Sequence, residues 1–318
     1  MFKGKKVLVL GLAKSGKAAV ELLKFMHADI TINESKKKED IPEYDTYVSE
    51  GIEMVCGGQP DELFERDFDF VVKNPGINYH APFILRLKER GIPVYTEIEL
   101  GYKVAKKQHY IAVTGTNGKT TVTHMIEAIF RDQKDRTGLI GTMYRRIGEK
   151  TYPTANTTPD ILTLQKTFAE MKKENVKAAA IEVSSIALIQ GRVWGIDVDT
   201  AVFTNFTQDH LDYHKTMAEY AHAKSLLFAQ LGNTYGNDKT AVINIDDEMG
   251  KNFAQDTSTQ VLTYGIENDA MIKASNVNIH SQGTDFDLKV FEDEYHLHVK
   301  TVGMFNVYNL LAAFGAAY

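Results

Sequence analysis

The stretch Ile111-Ala-Val-Thr-Gly-Thr-Asn-Gly-Lys-Thr-Thr121 decides the fold of this chain. An apolar, β-branched run leads into two glycines, Gly115 and Gly118, and Lys119 opens an amphipathic segment. The order strand, glycine loop and helix is typical of a phosphate-binding P-loop, in which loop amides and the positive helix end bind phosphate oxygens. A strict Walker motif has a further glycine where this chain has Val113, so the match is to a shorter GxxGKT variant. The alternative is a glycine turn without a ligand.

The composition is that of an ordinary globular protein. The 318 residues suit two domains, and 43% of them are hydrophobic and 25% charged. The 36 basic and 42 acidic side chains give a net charge of −6, so we expect no nucleic-acid partner, although a local basic patch stays compatible with this average. The single cysteine, Cys56, rules out an intramolecular disulfide and favours a cytoplasmic protein. No apolar run approaches the ~20 residues of a membrane span, so we expect no membrane partner.

A β-α-β pattern opens the chain between Lys6 and Ile32. Its first turn, Gly11-Leu-Ala-Lys-Ser-Gly16, departs from the dinucleotide fingerprint at Ala13, because that motif has a glycine there. Glu34 stands near the position expected of a ribose-binding acid. The turn favours a nucleotide diphosphate site, and the alternative is a glycine that only packs the strand against the helix.

A second candidate binding segment of this domain is the turn Lys73-Asn-Pro-Gly-Ile77. It directly follows a buried strand predicted at Phe68 to Val72. In open α/β sheets ligands gather beyond the carboxyl ends of the strands, so Lys73, Asn74 and Gly76 are candidates for the same crevice as Ser15. A Pro-Gly turn with an exposed lysine is the alternative. These elements predict a Rossmann-like first domain, residues 1–107, completed by helices at 81–90 and 97–105, a strand at 92–95 and a linker at 106–108.

The second half of the chain, residues 108–318, predicts a P-loop ATPase-type central domain with a small antiparallel sheet within Ile272 to Val299. In this half the short buried strand Ala178 to Ile181 ends at Glu182. A carboxylate at the tip of a strand beside a P-loop is the usual ligand of the magnesium ion that accompanies a nucleotide. Glu182 is therefore a candidate magnesium ligand.

Other residues of this half are candidates only in combination with the loop. Asp209, His210 and Asp212 follow a predicted strand and suggest metal or phosphate chemistry, but such a group alone is more often a polar loop. Lys224 lies in an apolar helix, where a lysine usually extends its charged end to solvent. The last predicted helix, Leu310 to Tyr318, is almost wholly apolar and needs cover, so we expect the chain to stop at a domain edge.

Together these motifs resemble the Mur ligases, the ATP-dependent enzymes that add amino acids to the peptide of the cell-wall peptidoglycan precursor. Residues 1 to about 107 look like the D-glutamate-adding enzyme (MurD), and the chain from His109 looks like the enzyme that adds diaminopimelate or lysine (MurE). We therefore expect an engineered hybrid, joined near Lys106 to Tyr110, that lacks the family's C-terminal domain. The resemblance rests on segments 114–120, 156–159, 182–185, 203–205, 209–212, 223–224 and 305–309.

The resemblance implies roles for the loop and its neighbours. Lys119 and the loop amides would hold the phosphates of ATP, Thr120 and Glu182 would ligate one Mg²⁺, and His210 would help to hold a second. Lys224 would be carbamylated by CO₂, which requires a neutral amine, and burial favours that form of a lysine. One departure is Ile186, which stands where tripeptide-forming members have a histidine, so a hydrogen bond beside Glu182 is in question.

The remaining site residues are also implied by the resemblance, in three groups. The ATP-binding group comprises Gly115, Thr116, Asn117, Gly118, Lys119, Thr120 and Thr121, with Asn306 and Asn309 at the adenine. The group that contacts the muramyl-peptide substrate comprises Asn156, Thr157, Thr158, Ser184, Gln190 and Arg192. The group at the uridine diphosphate end comprises Ser15, Asn33, Glu34, Asn74 and Gly76.

The implied reaction begins when a carboxylate of the UDP-MurNAc-peptide precursor attacks the γ-phosphorus of ATP and forms an acyl phosphate. The amine of an amino acid then displaces phosphate and forms an amide. We expect a cytoplasmic monomer that binds ATP and the precursor but turns over little without a C-terminal domain. The alternatives are a non-catalytic nucleotide-binding scaffold or domain-exchange hybrid and, supported only by the Gly11 turn, a nicotinamide oxidoreductase.

Overall fold

The computed structural model describes residues 2–74, 76–78, 80–97, 99–100, 108–232 and 239–318. The chain divides into two compact units, Met1–Lys106 with Ile161–Ala169 and Lys107–Asp160 with Glu170–Tyr318. Most of the predicted linker, at 106–108, and most of the predicted helix at 97–105 lie outside the described residues. The domain boundary expected at residue 107 therefore stays a prediction.

The first unit is built on a five-stranded parallel sheet with the strand order β3-β2-β1-β4-β5. Side chains of the central strand alternate between two cores, with Val7 in one and Leu8 in the other. Both faces are thus covered, which explains the unbroken apolar run of this strand. The elements are β1 (Lys6–Leu10), α1 (Lys14–Phe25), β2 (Asp29–Glu34), α2 (Tyr44–Ser49), β3 (Glu53–Cys56), α3 (Asp61–Phe64), β4 (Phe70–Lys73), α4 (Pro82–Glu89) and β5 (Val94–Thr96).

The second unit contains an eleven-stranded mixed sheet with the order β16-β15-β14-β13-β12-β11-β6-β10-β7-β8-β9. Its centre is β6, where Ile111 pairs with Ala180 on one side and Thr200 on the other, both in parallel. The strands are β6 (His109–Thr114), β7 (Thr137–Ile140), β8 (Arg145–Ile147), β9 (Lys150–Tyr152), β10 (Ala178–Glu182), β11 (Thr200–Phe203), β12 (Thr240–Asn244), β13 (Gln260–Gly265), β14 (Ile272–His280), β15 (Gly283–Val290) and β16 (Asp293–Val299).

Seven helices accompany this sheet among the described residues, and the division between the units passes through the second of them. They are α5 (Lys119–Asp132), α6 (Ile161–Lys173), α7 (Ser185–Ile189), α8 (Leu211–His214), α9 (Met217–Ala229), α10 (Glu248–Asp256) and α11 (Met304–Ala317).

The α/β fold class predicted from the sequence is confirmed, including the antiparallel strands β14 to β16. The antiparallel hairpin of β8 and β9 was not predicted, because its three-residue strands carry charged side chains such as Arg145 and lack an apolar alternation. Helix α11 begins at Met304, before the predicted start. Much of its apolar surface is covered within its own unit, since Val307 and Leu311 share a core with Val122 of α5. None of the described helices is long and apolar enough to cross a bilayer.

Candidate nucleotide and metal site

The glycine loop between β6 and α5 has a shape that only glycine fits at two positions. Gly115 and Gly118 have φ angles of +147° and +85°. A Cβ on Gly115 would lie 1.9 Å from Oγ1 of Thr204, and a Cβ on Gly118 would lie 2.4 Å from Oδ1 of Asn309. Both residues are therefore required by backbone conformation and by close neighbours.

Residues that follow β11 hold this loop in place. The Thr204 hydroxyl donates to the carbonyl of Asn117 at 2.6 Å, and the amide N–H of Asn117 donates to Oδ1 of Asn205 at 2.8 Å. The amide N–H of Thr116 donates to the carbonyl of Asn205 at 2.8 Å. The segment after β11 thus fixes the backbone that the sequence predicts to bind phosphate.

Lys119, the first residue of α5, folds back over the loop. Its Nζ donates to the carbonyl oxygens of Gly115 and Thr116, both at 2.8 Å. Burial lowers the pKa of Lys119, while Glu182 and Asp209 act in the opposite direction. The ammonium group therefore lies at the loop and close to carboxylates.

The carboxylate of Glu182 is 1% exposed and is held by two threonines. Its Oε2 accepts hydrogen bonds from the hydroxyls of Thr120 at 2.9 Å and Thr142 at 3.0 Å, and its Oε1 accepts the amide N–H of Thr142 at 2.9 Å. A Cβ on Gly141 would lie 2.1 Å from Oε1, so this glycine admits the carboxylate. Ile186, which stands where the resemblance implies a histidine, takes part in none of these three hydrogen bonds. Carboxylate and hydroxyl oxygens are ligands that suit Mg²⁺.

Lys224 reaches the same loop from α9. Its side chain is buried, its Nζ donates to the carbonyl of Gly115 at 2.8 Å, and this atom lies 4.5 Å from the ring centre of Tyr220. Burial, with a contribution from the positive charge of Lys119, lowers the pKa of Lys224 to about 6. The alternative that Lys224 extends to solvent is therefore wrong, and burial favours the neutral form of its amine.

His210 lies at the start of α8 with a φ of +53° and is half-exposed. Its Nε2 is 3.4 Å from Oδ2 of Asp209, and its ring centre is 6.2 Å from that of Tyr220. Nearby, the buried His214 pairs through Nε2 with the hydroxyl of Ser185 at 2.8 Å. The pKa of His214 is lowered by burial and further by His210 and Lys224. Two imidazoles thus lie beside the buried lysine.

Most residues expected at the muramyl-peptide substrate form one hydrogen-bonded network with Glu182. The Thr158 hydroxyl donates to the carbonyl of Glu182 at 2.8 Å and accepts the amide N–H of Ser184 at 3.0 Å. Arg192 donates through Nη1 to the carbonyl of Thr158 at 2.8 Å and through Nε to Oε1 of Gln190 at 2.9 Å. The network is therefore continuous from the magnesium candidate to Gln190.

Two further residues of this group differ in their placement. Thr157 joins the network through its hydroxyl, which is 3.1 Å from that of Thr142. Asn156 has an exposed side chain, and its carbonyl accepts a hydrogen bond from the hydroxyl of Thr154.

A cavity of about 410 Å³ adjoins the glycine loop and is lined in part by Gly118, Phe305, Tyr308 and Asn309. Asn309, for which the resemblance implies an adenine contact, is thus part of this cavity lining. The amide of Asn306 donates instead to the carbonyl of Val302 at 3.0 Å, and this side chain is not part of the cavity lining.

The first unit has its own cavity, of about 310 Å³, at the carboxyl ends of its strands. Asn33, Glu34 and Asn74 line it, whereas Ser15, in the first turn of α1, and Gly76 do not. The amide of Asn33 is committed to the protein, since Nδ2 donates to the carbonyls of residues 55 and 58 at 3.1 and 2.7 Å.

The carboxylate of Glu34 closes the first glycine turn from inside. Its Oε2 accepts the amide N–H of Leu12 at 2.6 Å and its Oε1 that of Lys36 at 3.2 Å. Burial acts to raise the pKa of Glu34, but these amide hydrogen bonds lower it overall. A Cβ on Gly16 would lie 1.8 Å from the carbonyl oxygen of Gly11, so strand-to-helix packing does explain Gly16.

Comparison with known families identifies both units. A sequence profile described as the Mur ligase middle domain matches residues 113–317, and one described as the Mur ligase MurD-like N-terminal domain matches residues 5–96. The chain belongs to the Mur ligase family. Its P-loop, Glu182 and Lys224 lie within the part matched by the middle-domain profile.

Curated relatives of this Mur ligase chain carry the name UDP-N-acetylmuramoyl-L-alanyl-D-glutamate–2,6-diaminopimelate ligase. The protein from Lactiplantibacillus plantarum is 53% identical over 262 residues, which are 81% of this chain and 53% of that protein. The protein from Halalkalibacterium halodurans is 59% identical over 208 residues, 65% of this chain and 43% of that protein. The chain thus spans about half the length of these relatives. A solved structure with the same name has a TM-score of 0.60 and 25% identity, and the match covers all of this chain and 57% of that one.

Sequence reasoning missed some residues of the Mur ligase site. Thr142, which supplies two of the three hydrogen bonds described for the Glu182 carboxylate, was not singled out. Its signal is topological, because it follows β7, whose neighbour β10 ends at Glu182. Tyr220, whose hydroxyl lies 3.2 Å from that of Thr116 and whose ring lies beside Lys224, carries no signal in the sequence.

Proposed function

We propose that this Mur ligase chain carries the ATP side of an amide-forming ligase that acts on a carboxylate of a UDP-MurNAc-peptide. The observation that carries the proposal is the buried carboxylate of Glu182, 2.9 Å from the hydroxyl of Thr120 directly after the P-loop. Lys119 and Lys224 meet at the same loop, on the carbonyl of Gly115. The names of the diaminopimelate-ligase relatives support the substrate class.

The residues present fit a magnesium-nucleotide complex. Thr120 and Glu182 would ligate one Mg²⁺ through oxygen, and His210 with a modified Lys224 would serve a second. Bound Mg²⁺ supplies neutralisation of phosphate charge. Among the described residues, the hydrogen-bond acceptors of Lys119 Nζ are two backbone carbonyls of the loop, and these donors can turn to phosphate oxygens. The cavity beside Asn309 would receive the base.

The buried Lys224 supports carbamylation. A neutral Nζ attacks the carbon of CO₂, a C–N bond forms and one proton leaves to solvent, so the side chain acquires a negative charge. The pKa of about 6 supplies the neutral amine at pH 7. The carbamate would place a negative charge beside the ammonium of Lys119, which shares the carbonyl of Gly115 with Lys224 as acceptor.

Carbon-13 NMR in ¹³C-bicarbonate tests the carbamate. We expect one carbamate signal per chain in the wild type, loss of that signal in Lys224→Arg, and its retention in Lys73→Arg, a matched change of a buried lysine in the first unit. A wild type without the signal, or an unchanged signal in Lys224→Arg, contradicts the proposal.

In the proposed reaction the substrate carboxylate attacks the γ-phosphorus of ATP, ADP leaves and an acyl phosphate forms. The amine of the incoming amino acid then attacks the acyl carbon, phosphate leaves with one oxygen of the original carboxylate, and the amine releases a proton. Substrate labelled with ¹⁸O in its carboxylate should therefore yield ¹⁸O in the phosphate, in a reaction run with enzyme in excess. Amide product without ¹⁸O in phosphate would refute the acyl phosphate. The expectation of little turnover by the 318 residues alone stays a prediction, measured in the same assay under multiple-turnover conditions.

ATP·Mg binding tests the metal assignment separately from turnover. Glu182→Gln should weaken ATP·Mg binding at least ~10-fold, since it removes a proposed magnesium ligand while preserving shape. Glu34→Gln, the same change in the first unit, should leave this affinity unchanged. Equal effects of the two substitutions would contradict the assignment.

We further propose that the first unit is of the D-glutamate-adding type and that a diaminopimelate-type central domain follows it. The MurD-like match of residues 5–96 supports the first half, and the names of the relatives support the second. The cavity beside Asn74 would then bind uridine diphosphate. Asn74→Asp keeps the acceptor for the amide of Gly76 but adds a negative charge, so it should weaken UDP binding in calorimetry. Unchanged UDP affinity in this variant contradicts the placement.

A further inference from the structure

The antiparallel strands β14, β15 and β16 carry a row of histidines and aspartates on one face. Along β15, Phe286 and Leu288 are buried in the core, whereas the alternate residues Asp285 and Asp287 lie on the other face. His298 and His296 stand directly opposite these two aspartates on β16. The strand register therefore places imidazoles beside carboxylates, and Glu182 and the P-loop are not part of this group.

Three of these side chains converge on one point. Nε2 of His280 is 2.8 Å from Oδ2 of Asp285, and Nδ1 of His298 is 2.7 Å from Oδ1 of the same residue. The two imidazole rings are stacked, with centres 5.7 Å apart and planes inclined by 21°. One nitrogen of each ring and one carboxylate oxygen all lie within 4.8 Å of one another.

Gly283 leaves the space in which the rings meet. It pairs with His280 across the hairpin and has a φ of +150°. A Cβ at this position would lie 2.1 Å from the carbonyl oxygen of Val299 and 3.1 Å from Cε1 of His298. A side chain here would clash with the backbone of β16 and crowd that ring, so the hairpin and the approach of the two histidines both require this glycine.

We propose that His280, Asp285 and His298 form a binding site for a divalent transition-metal ion of the zinc type, separate from the nucleotide site. Two imidazoles and a carboxylate are a donor set that Zn²⁺ accepts, with water as the fourth ligand, whereas Mg²⁺ and Ca²⁺ prefer oxygen alone. This is the group of histidine, cysteine and acidic side chains with metal-binding spacing among the described residues.

The required rearrangement is small. Tetrahedral Zn²⁺ with bonds of about 2.0–2.1 Å separates neighbouring donors by roughly 3.3 Å. Each histidine must therefore move slightly away from Asp285, while the three donor atoms, which already lie within 4.8 Å of one another, converge on the ion. Their side chains are partly exposed, at 34% for His280 and 50% for His298, so they can shift without repacking the core.

Proton positions are compatible with metal binding. The amide N–H of Gln282 donates to Nδ1 of His280 at 3.2 Å, so Nε2 carries the hydrogen that faces Asp285. Zn²⁺ at Nε2 displaces this hydrogen to Nδ1 or to solvent, and the exposed Gln282 amide can turn to water.

The neighbouring cross-strand pair of the same sheet, Asp287 and His296, provides a matched control. Nδ1 of His296 lies 2.7 Å from Oδ1 of Asp287, whose other oxygen accepts the side-chain amide of Asn276 at 2.7 Å. This second group has one imidazole and one carboxylate, with an amide in place of the second imidazole. It should bind zinc far more weakly than the proposed site at Asp285, because it offers one ligand fewer.

Isothermal titration calorimetry with ZnCl₂ tests the site in the tag-free 318-residue chain, stripped of metals and supplied with Mg²⁺. We expect one zinc per chain at this site in the wild type. His280→Gln, His298→Gln and Asp285→Asn should each weaken binding at least ~10-fold. His296→Gln should leave the affinity within about twofold of the wild type. Circular dichroism and ATP·Mg binding should be unchanged in all four variants, since none of these residues belongs to the nucleotide site.

Three outcomes would overturn the proposal. A wild-type chain that binds no zinc refutes it directly. Zinc binding of wild-type affinity in the double variant His280→Gln/His298→Gln would place the ion elsewhere, for example at the nucleotide site. A loss in His296→Gln as large as that in His298→Gln would indicate non-specific binding to the exposed face.

Discussion

Each unit of this Mur ligase chain has a glycine-lysine pair at the N-terminal end of a helix that follows a buried parallel strand: Gly16-Lys17 in the first turn of α1 and Gly118-Lys119 at the start of α5. Nζ of Lys17 bonds to Oε1 of Glu43 at 2.5 Å, and this side chain is 40% exposed. Nζ of Lys119 bonds instead to carbonyls of its own loop. The two local sequences are alike, yet the lysine forms a surface ion pair in the first unit and donates hydrogen bonds to its own loop in the second.

The charges around the two turns explain this difference. In the first unit the carboxylate of Glu34 accepts the amide N–H of Leu12, so the protein itself supplies an anion to the turn. In the second unit two lysines, Lys119 and Lys224, point at the loop. A strand-glycine-helix pattern thus specifies a turn, and the charged side chains around it, some from distant helices or strands, set whether that turn suits phosphate.

The largest expected effect is on stability, in Lys224→Met. The pKa of Lys224 falls from 10.5 to about 6 on folding, so between these values the unfolded chain binds more protons. The stability of the wild type therefore rises with pH across this window. Lys224→Met removes the free-energy cost of deprotonating and burying this amine, so the variant should be more stable than the wild type near pH 7. Urea denaturation in CO₂-depleted buffer should show this advantage shrinking as the pH rises toward 10.5 and constant below about 6.

Lys73→Met is the matched change in the first unit. Lys73 is also buried and donates to the carbonyl of Ile77 at 2.8 Å. Burial lowers its pKa, but Glu97 and Glu99 oppose this, so the gain in stability should be smaller than for Lys224. A pH-independent difference between wild type and Lys224→Met, or equal gains in the two variants, would remove this distinction between the units.

The next effect is on nucleotide affinity. Lys119→Met should weaken ATP·Mg binding by about 1.5–3 kcal/mol, roughly 10- to 150-fold, because charge-assisted hydrogen bonds to phosphate are lost. Lys17→Met, which follows a glycine in the same way, should leave this affinity unchanged because its partner is Glu43. Calorimetric titration with ATP·Mg measures both. A comparable loss in Lys17→Met would break the comparison of the two turns.

The sequence predicts one of these turns better than the other. For the second unit, the pattern from Ile111 to Thr121 locates the loop, and an acid after a short strand locates Glu182. For the first, the same reasoning places Ser15 at a cavity that it does not line. Contacts such as that of Thr142 with Glu182 depend on which strands are neighbours, and local periodicity does not encode strand order.

A smaller effect is expected from alanine at the glycines with left-handed backbone. Gly118→Ala should lower stability by about 1–2 kcal/mol for the backbone alone, and more because the new Cβ would meet Oδ1 of Asn309 at 2.4 Å. Gly11→Ala has a similar φ, +87°, but its nearest contact is 3.5 Å away at Asn74, so only the backbone cost applies. Equal losses of stability in urea denaturation would show that the side chain of Asn309 moves away from the new Cβ at no cost.

The smallest effect should come from Tyr308→Phe at the cavity beside the P-loop. The Tyr308 hydroxyl donates to Oδ2 of Asp246 at 2.9 Å, and one such hydrogen bond contributes about 0.5–1.5 kcal/mol. The loss in the free energy of unfolding should lie at the low end of this range, because the backbone amides at 266–268 also donate hydrogen bonds to Asp246. These bonds lower the pKa of Asp246 to about 2, although burial acts to raise it. The ring remains, so ATP·Mg affinity should change less than twofold in calorimetry, a limit that corresponds to about 0.4 kcal/mol. A loss approaching that of Lys119→Met would mean that this hydroxyl, and not only the charged loop, distinguishes the second turn from the first.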